Sequence, residues 1–414
     1  MGGASSRDQM AQSLNSTFFS QEELNKLKSD YETGGLGKVR PLIQWKIKEL
    51  DNTELNIAVT GETGAGKSTF INTMRGLQSD DEGAAETGVT ETTMEPTRYP
   101  HPNLPNVYFW DLPGIGTTKF PANKYLKEMK FERYDFFIII SHSRFRENDT
   151  KLAKEIKRLG KNFYFVRSKI DNDLNSMKRM KVNEEEELEK IRNDCVRKLQ
   201  EAGIPSPSVF LISNFEPNLY DFKQLNEALE DDLQNIKKSV FILARPNLNL
   251  EIVERKRQEL KKRVWMLATL SGAVGAVPVP GVSLACDIGI LVGGIIDFRK
   301  YLGLDDASLQ RLANMAGKPV GVLKAVVKTP LVGEITPDLV TRTLMGLAAV
   351  TISALELVLD FIPVIGSIFG AGSSFLMTYK LLNDALNDLT ENAQRVVMVA
   401  FGTDENGRHQ TPIQ

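Results

Sequence analysis

The stretch that most constrains the fold is NIAVTGETGAGKSTFINTMRGL, residues 56–77. An apolar run reaches a glycine-rich turn, and a helical pattern follows it. The turn, residues 61–68, matches G-x-x-x-x-G-K-[ST] in full. Glycines let consecutive backbone amides face one point, and the following helix adds the positive end of its dipole. The stretch therefore predicts a phosphate-binding loop between a strand and a helix; a flexible strand–helix turn is the alternative.

The side chains of this loop have distinct expected roles. The ammonium of Lys67 should reach the β- and γ-phosphates of a nucleoside triphosphate, and the hydroxyl of Ser68 should bind Mg²⁺. The remaining phosphate contacts are expected from the rest of the loop and the start of the helix, which comprise Gly61, Glu62, Thr63, Gly64, Ala65, Gly66 and Thr69.

A second motif, Asp111-Leu112-Pro113-Gly114, ends the apolar run NVYFWD. The carboxylate of Asp111 should hold Mg²⁺ through water, and the amide of Gly114 should contact the γ-phosphate. A segment with these contacts orders when a triphosphate is bound and relaxes after hydrolysis. D-x-x-G is common in isolation, but here it follows a strand downstream of the phosphate loop, as a P-loop nucleoside triphosphatase requires.

The base is indicated by Ser168-Lys169-Ile170-Asp171, at the end of the run NFYFVRS. This is the [NT]-K-x-D position of GTPases with serine first. The carboxylate of Asp171 can accept hydrogen bonds from guanine N1–H and the exocyclic amine, whereas adenine would be repelled there. Lys169 can lie along the base plane. Ser213 and Asn214 follow the next strand, where a backbone amide is expected to meet guanine O6. The four motifs in this order predict a GTPase.

The length of 414 residues suggests about two domains. From residue 55 to about 240, short Val-, Ile- and Phe-rich runs alternate with amphipathic helices, which predicts a largely parallel, doubly wound sheet. Beyond that point no strand-like alternation occurs. The expected fold class is α/β plus all-α, divided into an N-terminal helical segment (1–52), a P-loop GTPase domain (53–240) and a C-terminal helical domain (241–414).

The residues that activate water are less clear from the sequence. The position after Gly114 is Ile115, where many small GTPases carry a glutamine that orients the attacking water. The stretch GAAETGVTETTMEP, residues 83–96, is the expected first switch. One threonine of this stretch should bind Mg²⁺ and the γ-phosphate. Spacing does not single one out; Thr87 is favoured, and Glu91 is the nearby carboxylate that could orient water. A solvated loop remains the alternative, and the other threonines are Thr90, Thr92 and Thr93.

Two arginines, Arg144 and Arg146, follow the apolar run DFFIIIS on the edge of the sheet that faces the nucleotide. They could contact nucleotide across a dimer, or they could belong to a solvated loop. Both interpretations stay open at this point.

Composition excludes several classes of function. The formal net charge is −2, so nucleic acid is not an expected partner. The two cysteines, Cys195 and Cys286, lie far apart, which argues against a disulfide framework and for a reducing compartment. The three histidines show no metal-ligand spacing.

Two features raise the question of a membrane. The start MGGASS fits the N-myristoylation pattern at Gly2, with a disordered start as the alternative. Residues 264–286 and 361–379 lack charge, but Pro and Gly interrupt both stretches, at Pro278–Gly281 and Pro363–Gly366. Buried core helices are therefore favoured over membrane spans. A reversible exposure of these tips, together with an acyl chain, would supply the two signals that lasting attachment needs.

The stretches AVTGETGAGKSTFIN, FWDLPGIGT, KFERYDFFIIIS and NFYFVRSKID resemble the interferon-inducible immunity-related GTPases of vertebrates, in the subgroup that carries G-K-S. The resemblance covers the predicted GTPase domain and, more loosely, the helical half. It implies a Ras-like GTPase domain joined to a helical domain built from both chain ends. It departs at Ser168, where the family often has threonine.

The resemblance also implies a function in cell-autonomous innate immunity. Such proteins bind GTP and GDP with Mg²⁺, self-associate through their GTPase domains in the GTP state, hydrolyse GTP faster as a result, and work with related GTPases. They are cytoplasmic and associate peripherally with endomembranes or pathogen-containing vacuoles. By position, Glu62, Glu91 and Arg144 become candidates for the contact between two copies. A slowly hydrolysing GTP-regulated scaffold and a membrane-inserting protein are the alternatives.

Overall fold

The structure is a computed structural model and describes residues 19–88, 95–114, 125, 129–143, 145–177, 183–233, 235–275, 282–333, 335–340 and 373–402. The chain divides into two compact units. One comprises Met1–Thr53, Gln234–Leu243 and Asn249–Gln414, and is here called the helical unit. The other comprises Glu54–Leu233 and Ala244–Leu248, and is called the sheet unit.

The sheet unit contains a six-stranded sheet within the described residues. Its strands are β1 (Leu55–Gly61), β2 (Thr97–Pro100), β3 (Val107–Asp111), β4 (Phe136–Ser141), β5 (Asn162–Arg167) and β6 (Val209–Leu211). The spatial order is β2-β3-β1-β4-β5-β6, and every neighbouring pair except β2–β3 is parallel. β1 and β4 are buried along almost their whole length, as expected for strands covered on both faces.

The helices of the described residues, in chain order, are α1 (Gln21–Asn52), α2 (Lys67–Arg75), α3 (Glu147–Arg158), α4 (Ile170–Met177), α5 (Glu184–Glu201), α6 (Phe222–Asp232), α7 (Asn235–Ala244), α8 (Leu250–Gly275), α9 (Val282–Tyr301), α10 (Asp306–Ala316), α11 (Val320–Ala325) and α12 (Ser373–Phe401). Short 3-10 helices occupy Phe131–Arg133 and Pro330–Val332. The predicted fold class, a P-loop α/β domain with a helical domain, is confirmed.

The two ends of the chain meet in the helical unit. α8 packs along α12, and α1 and α9 pack against α8. The buried guanidinium of Arg263 on α8 bonds to Asp51 of α1 (2.7 Å) and to Asp297 of α9 (2.6 Å), so one cation ties three helices together. α1 is interrupted at Gly35, whose backbone is not helical.

The first residues of the uncharged stretch 264–286 belong to the hydrophobic core of the helical unit. Val264, Trp265, Met266 and Ala268 are buried within the helical unit. Within the described part of the other stretch, 361–379, Phe375 is buried, and the hydroxyl of Thr378 bonds to that of Ser271 on α8 (2.7 Å). None of the described helices combines the length and the apolarity needed to cross a membrane. The two predicted hairpin tips, at 278–281 and 363–366, lie outside the described residues.

Candidate nucleotide-binding site

The predicted motifs meet in one cleft at the carboxyl ends of the parallel strands. The phosphate loop follows β1, the D-x-x-G segment follows β3, the S-K-x-D segment follows β5 and the S-N pair follows β6. The residues that line the cleft include Thr63, Gly64, Gly66, Lys67, Ser68, Thr69, Thr87, Gly114, Lys169, Asp171 and Asn214. Ligands of open α/β sheets bind in such a crevice, outside the carboxyl ends of the strands.

The phosphate loop requires glycine where it leaves β1. Gly61 has φ 139°, and a Cβ at this position would lie 2.0 Å from the carbonyl oxygen of Ile140 on β4. Any other residue would have to push the central strands apart. At the other end of the loop α2 begins at Lys67, whose side chain is 7% exposed and whose ammonium donates to the carbonyl of Glu62 (3.2 Å). The cation therefore lies across the concave face of the loop.

The predicted Mg²⁺ ligands are adjacent. The hydroxyl of Ser68 donates to Asp111 Oδ2 at 2.6 Å, and Asp111 is buried at the end of β3. A hydroxyl and a carboxylate are hard oxygen donors, and Mg²⁺ is usually held by one or two protein oxygens together with waters and substrate phosphates. This donor set fits Mg²⁺.

Gly114 packs directly against the phosphate loop. A Cβ on Gly114 would lie 2.5 Å from Thr63 Oγ1 and 3.0 Å from the Thr63 amide nitrogen, so only glycine allows this approach. The preceding carbonyl, that of Pro113, accepts a hydrogen bond from the buried hydroxyl of Tyr125 (2.8 Å). Tyr125 is in turn bonded to Thr60 of β1 (2.8 Å). No sequence motif indicates this tyrosine, because a backbone carbonyl, which any residue can supply, is its partner.

Two α2 side chains hold the loop that leads to Thr87. Asn72 donates to the Ala85 carbonyl (2.9 Å) and accepts from the Ala85 amide (2.7 Å). Arg75 donates to the carbonyls of Gly83 (2.9 Å) and Pro100 (3.1 Å). Both side chains are buried. Thr87 itself is exposed and lines the cleft, two residues after Ala85, which the side chain of Asn72 holds.

We expect Asn72→Ala to slow GTP hydrolysis about 5- to 100-fold and to raise the Mg²⁺ concentration required, because the loop carrying Thr87 loses both hydrogen bonds. GDP affinity should change little, since GDP has no γ-phosphate for Thr87 to meet. Single-turnover hydrolysis over a Mg²⁺ titration measures the effect. Asn193→Ala, on the exposed side of α5, is the matched control. If Asn72→Ala kept the Mg²⁺ dependence of the wild type, the hydrogen bonds of Asn72 would have no role in positioning the loop that carries Thr87.

The S-K-x-D segment is tied to the phosphate loop. Ser168 is fully buried, and its hydroxyl donates to the Ala65 carbonyl at 2.6 Å. Serine therefore supplies the bond that joins the two motifs without needing the methyl group of threonine. Lys169 has φ 59°, a left-handed backbone that is rare outside glycine and is often retained at functional sites. Asp171 lies in the first turn of α4 and lines the cleft.

The S-N pair makes a second tie to the same loop. The side-chain amide of Asn214 donates to the Gly66 carbonyl (3.3 Å), and the backbone carbonyl of Asn214 accepts from Thr73 of α2 (3.1 Å). Ser213 is fully buried beside it. The S-K-x-D and S-N segments therefore hold the carbonyls of Ala65 and Gly66 in the phosphate loop.

Glu62 is engaged by a neighbouring arginine. Its carboxylate lies 2.9 Å from the guanidinium of Arg146, and the two side chains are 14% and 55% exposed. Arg146 precedes α3, where its amide donates to the buried carboxylate of Asp149 (2.9 Å). Burial, reinforced by the charge of Glu62, raises the pKa of Asp149 to about 7, so this carboxyl group exchanges a proton near neutral pH. The positions discussed from the sequence that lie outside the described residues are Gly2, Thr90, Glu91, Thr92, Thr93, Ile115 and Arg144.

The comparisons with a family model and with the sequences of known proteins agree on one family. A family model described as "Interferon-inducible GTPase (IIGP)" matches residues 20–398. Interferon-inducible GTPase 5 of Rattus norvegicus is 40% identical over 388 residues, which are 93% of this chain and 84% of the rat protein. Interferon-inducible GTPase 1 of Mus musculus is 44% identical over 322 residues, 77% of this chain and 78% of the mouse protein. Among solved structures, the FeoB G-domain from Methanococcus jannaschii is matched over 43% of this chain and 97% of that chain, with 19% identity and a TM-score of 0.26.

Proposed function

We propose that this chain, which belongs to the family of interferon-inducible GTPases and is itself a GTPase, self-assembles when GTP is bound and acts on intracellular membranes in cell-autonomous immunity. The observation that supports the nucleotide part most strongly is the convergence of four separate motifs on one cleft, with Ser68 bonded to Asp111 and Ser168 bonded to the phosphate loop. We assign residues 53–240 as the GTPase domain and both flanking segments as the helical domain.

In the proposed mechanism the chain binds the triphosphate by the loop amides of residues 61–69 and by Lys67. The ammonium exchanges its bond with the Glu62 carbonyl for the β- and γ-phosphates. Ser68 and Asp111 would hold Mg²⁺, with Thr87 joining them in the GTP state. When bound, Mg²⁺ neutralises the charge that develops on the phosphate oxygens. Gly114 and Thr87 sense the γ-phosphate, and their segments relax after it leaves.

Guanine is selected at the other end of the cleft. Asp171 accepts hydrogen bonds from N1–H and the exocyclic amine, and the backbone at Ser213 and Asn214 donates to O6. Lys169 lies along the base. The bonds from Ser168 and Asn214 to the loop carbonyls support this assignment, because they fix the distance between the base edge and the phosphate loop.

Assembly supplies the part of the chemistry that Ile115 lacks. Isoleucine has no group that can orient water, so a second chain is proposed to complete the site, with Glu62, Glu91 and Arg144 at the contact. The geometry at Glu62 refines this proposal. Its carboxylate is paired with Arg146, whose side chain is more than half exposed, whereas the side chain of Glu62 is mostly covered. The pair Glu62–Arg146 therefore offers a second copy an exposed cation paired with a half-buried anion. Turnover per chain, measured against protein concentration, tests this step.

A GTP-regulated scaffold with slow hydrolysis is the second candidate, and Ile115 is the observation that favours it. A membrane-inserting protein is a third, which the apolar stretches at 264–286 and 361–379 suggest. In either case the proposed partners are still related GTPases and membranes. The protein is proposed to be located in the cytoplasm and to attach peripherally to membranes.

Membrane attachment depends on Gly2 in this proposal. We expect the myristoylated chain to float with liposomes in GTP and to float much less in GDP, because one acyl chain binds only marginally and assembly multiplies the anchors. Gly2→Ala should remove most of the flotation, whereas Gly3→Ala, which preserves the acylation pattern, should keep it. Absence of flotation in every nucleotide state would reject the membrane part of the proposal.

A further inference from the structure

Phe215 is the residue of the cleft that the nucleotide assignment leaves unused. It follows Asn214 directly, its side chain is 77% exposed, and it lines the same cleft as Lys169 and Asp171. Among the described residues that line the cleft, it is the only aromatic one. A single exposed apolar side chain on a surface needs no explanation. A solvent-exposed ring that lines the same cleft as the proposed base-selecting carboxylate does.

The chemistry of the base explains what such a ring can do. Asp171 and the backbone at Asn214 address the edge of the base, where all the hydrogen-bonding groups lie. The two faces of a purine offer no donors or acceptors, and they are stabilised by stacking on a flat apolar surface. In the two segments assigned to the base, the described residues that line the cleft are otherwise polar: Lys169, Asp171, Asn172 and Asn214. The ring of Phe215 is therefore the described group best suited to cover a face.

We propose that Phe215 stacks on one face of the bound guanine and so sets the affinity for guanine nucleotides without reading the identity of the base. The inference rests on the proposed binding of guanine at Asp171. It assigns the apolar part of the base site to a residue outside the four motifs. Stacking also removes the ring from water, so the same contact offsets the cost of its exposure in the free protein.

The experiment measures GDP affinity by calorimetry, because GDP avoids the assembly that is proposed for the GTP state. Phe215→Ala should weaken GDP binding about 5- to 50-fold, the range expected from loss of one aromatic–base stack. Phe215→Tyr keeps the ring and should stay within about twofold of wild type. Leu219→Ala removes a partly exposed apolar side chain from the same loop, 37% exposed and outside the lining of the cleft, and should leave GDP affinity unchanged. Because Phe215 is exposed, these variants should fold as the wild type does, which circular dichroism checks.

A second readout reports the stack itself. In Phe215→Trp, a guanine ring on the indole should quench its fluorescence when GDP is added, beyond the change seen in the wild type with its three native tryptophans. Unchanged GDP affinity in Phe215→Ala overturns the inference. So does a variant that binds GDP normally but loses the dependence of turnover on protein concentration, because Phe215 would then belong to the contact between copies. If the wild-type protein failed to bind GDP at all, the proposed function would be rejected as well. Failure of the Phe215 inference alone, with GDP binding intact, is therefore distinguishable from failure of the proposed function.

Discussion

Lys67→Ala should reduce the rate of GTP hydrolysis at least about 10²- to 10³-fold, the cost of losing one preorganised charge at a developing anion. Lys67 is almost completely buried in the phosphate loop, and no other cation among the described residues of the loop replaces it. Its ammonium already lies within the loop, on the Glu62 carbonyl. Phosphate release in a single turnover, with GTP bound to all the protein, measures the loss.

The control for this prediction is Lys151→Ala, which removes an exposed lysine from α3. It should hydrolyse GTP at the wild-type rate. Thermal unfolding of both variants shows whether the fold survives. If folded Lys67→Ala kept more than about a tenth of the wild-type rate, the proposed phosphate site would be wrong, because a peripheral lysine has effects of that size.

Asp171→Asn should change the base that the protein prefers. In the proposed site the carboxylate accepts two hydrogen bonds from guanine, and bonds to a charged group contribute about 1.5–3 kcal/mol each, so GTP affinity should fall roughly 100-fold or more. Xanthine carries a carbonyl where guanine carries the amine, and the asparagine amide can donate to it. The variant should therefore bind xanthosine triphosphate better than GTP.

Competition between the two nucleotides for the same protein gives the preference directly. Asp338→Asn makes the same chemical change at an exposed position of the helical unit and should leave the preference for GTP intact. A preference for GTP that survives Asp171→Asn would contradict the assignment of the base site, whatever happens to the overall affinity.

The sheet could be predicted where the strands are buried on both faces. Runs such as LNIAVTG and FFIIIS have no polar alternation and are recognisable as parallel strands. β2 was not predicted, because Thr97–Pro100 is short, largely exposed, antiparallel and ends in proline. These properties belong to edge strands, which are held by their partner strand and carry a weak pattern of their own.

The residues of the candidate site also divide into those that a sequence motif reveals and those that only the structure reveals. Lys67, Ser68, Asp111 and Asp171 act through side chains whose spacing is a motif, so the sequence places them together. Tyr125, Asn72 and Arg75 bond to backbone carbonyls, which any residue can supply, and no spacing reveals such partners. The pairing of Glu62 with Arg146 was also not predicted, because it joins two loops through the fold alone.

The measurement that tests the central claim most directly is GTP turnover per chain as a function of protein concentration, at saturating GTP and Mg²⁺. If assembly completes the site, specific activity should rise in proportion to concentration while single chains predominate, and should level off when assembly is complete. Arg146→Ala, which removes the exposed cation beside Glu62, should shift this rise to higher concentration. A specific activity that is low and independent of concentration would contradict the account and leave the slowly hydrolysing scaffold.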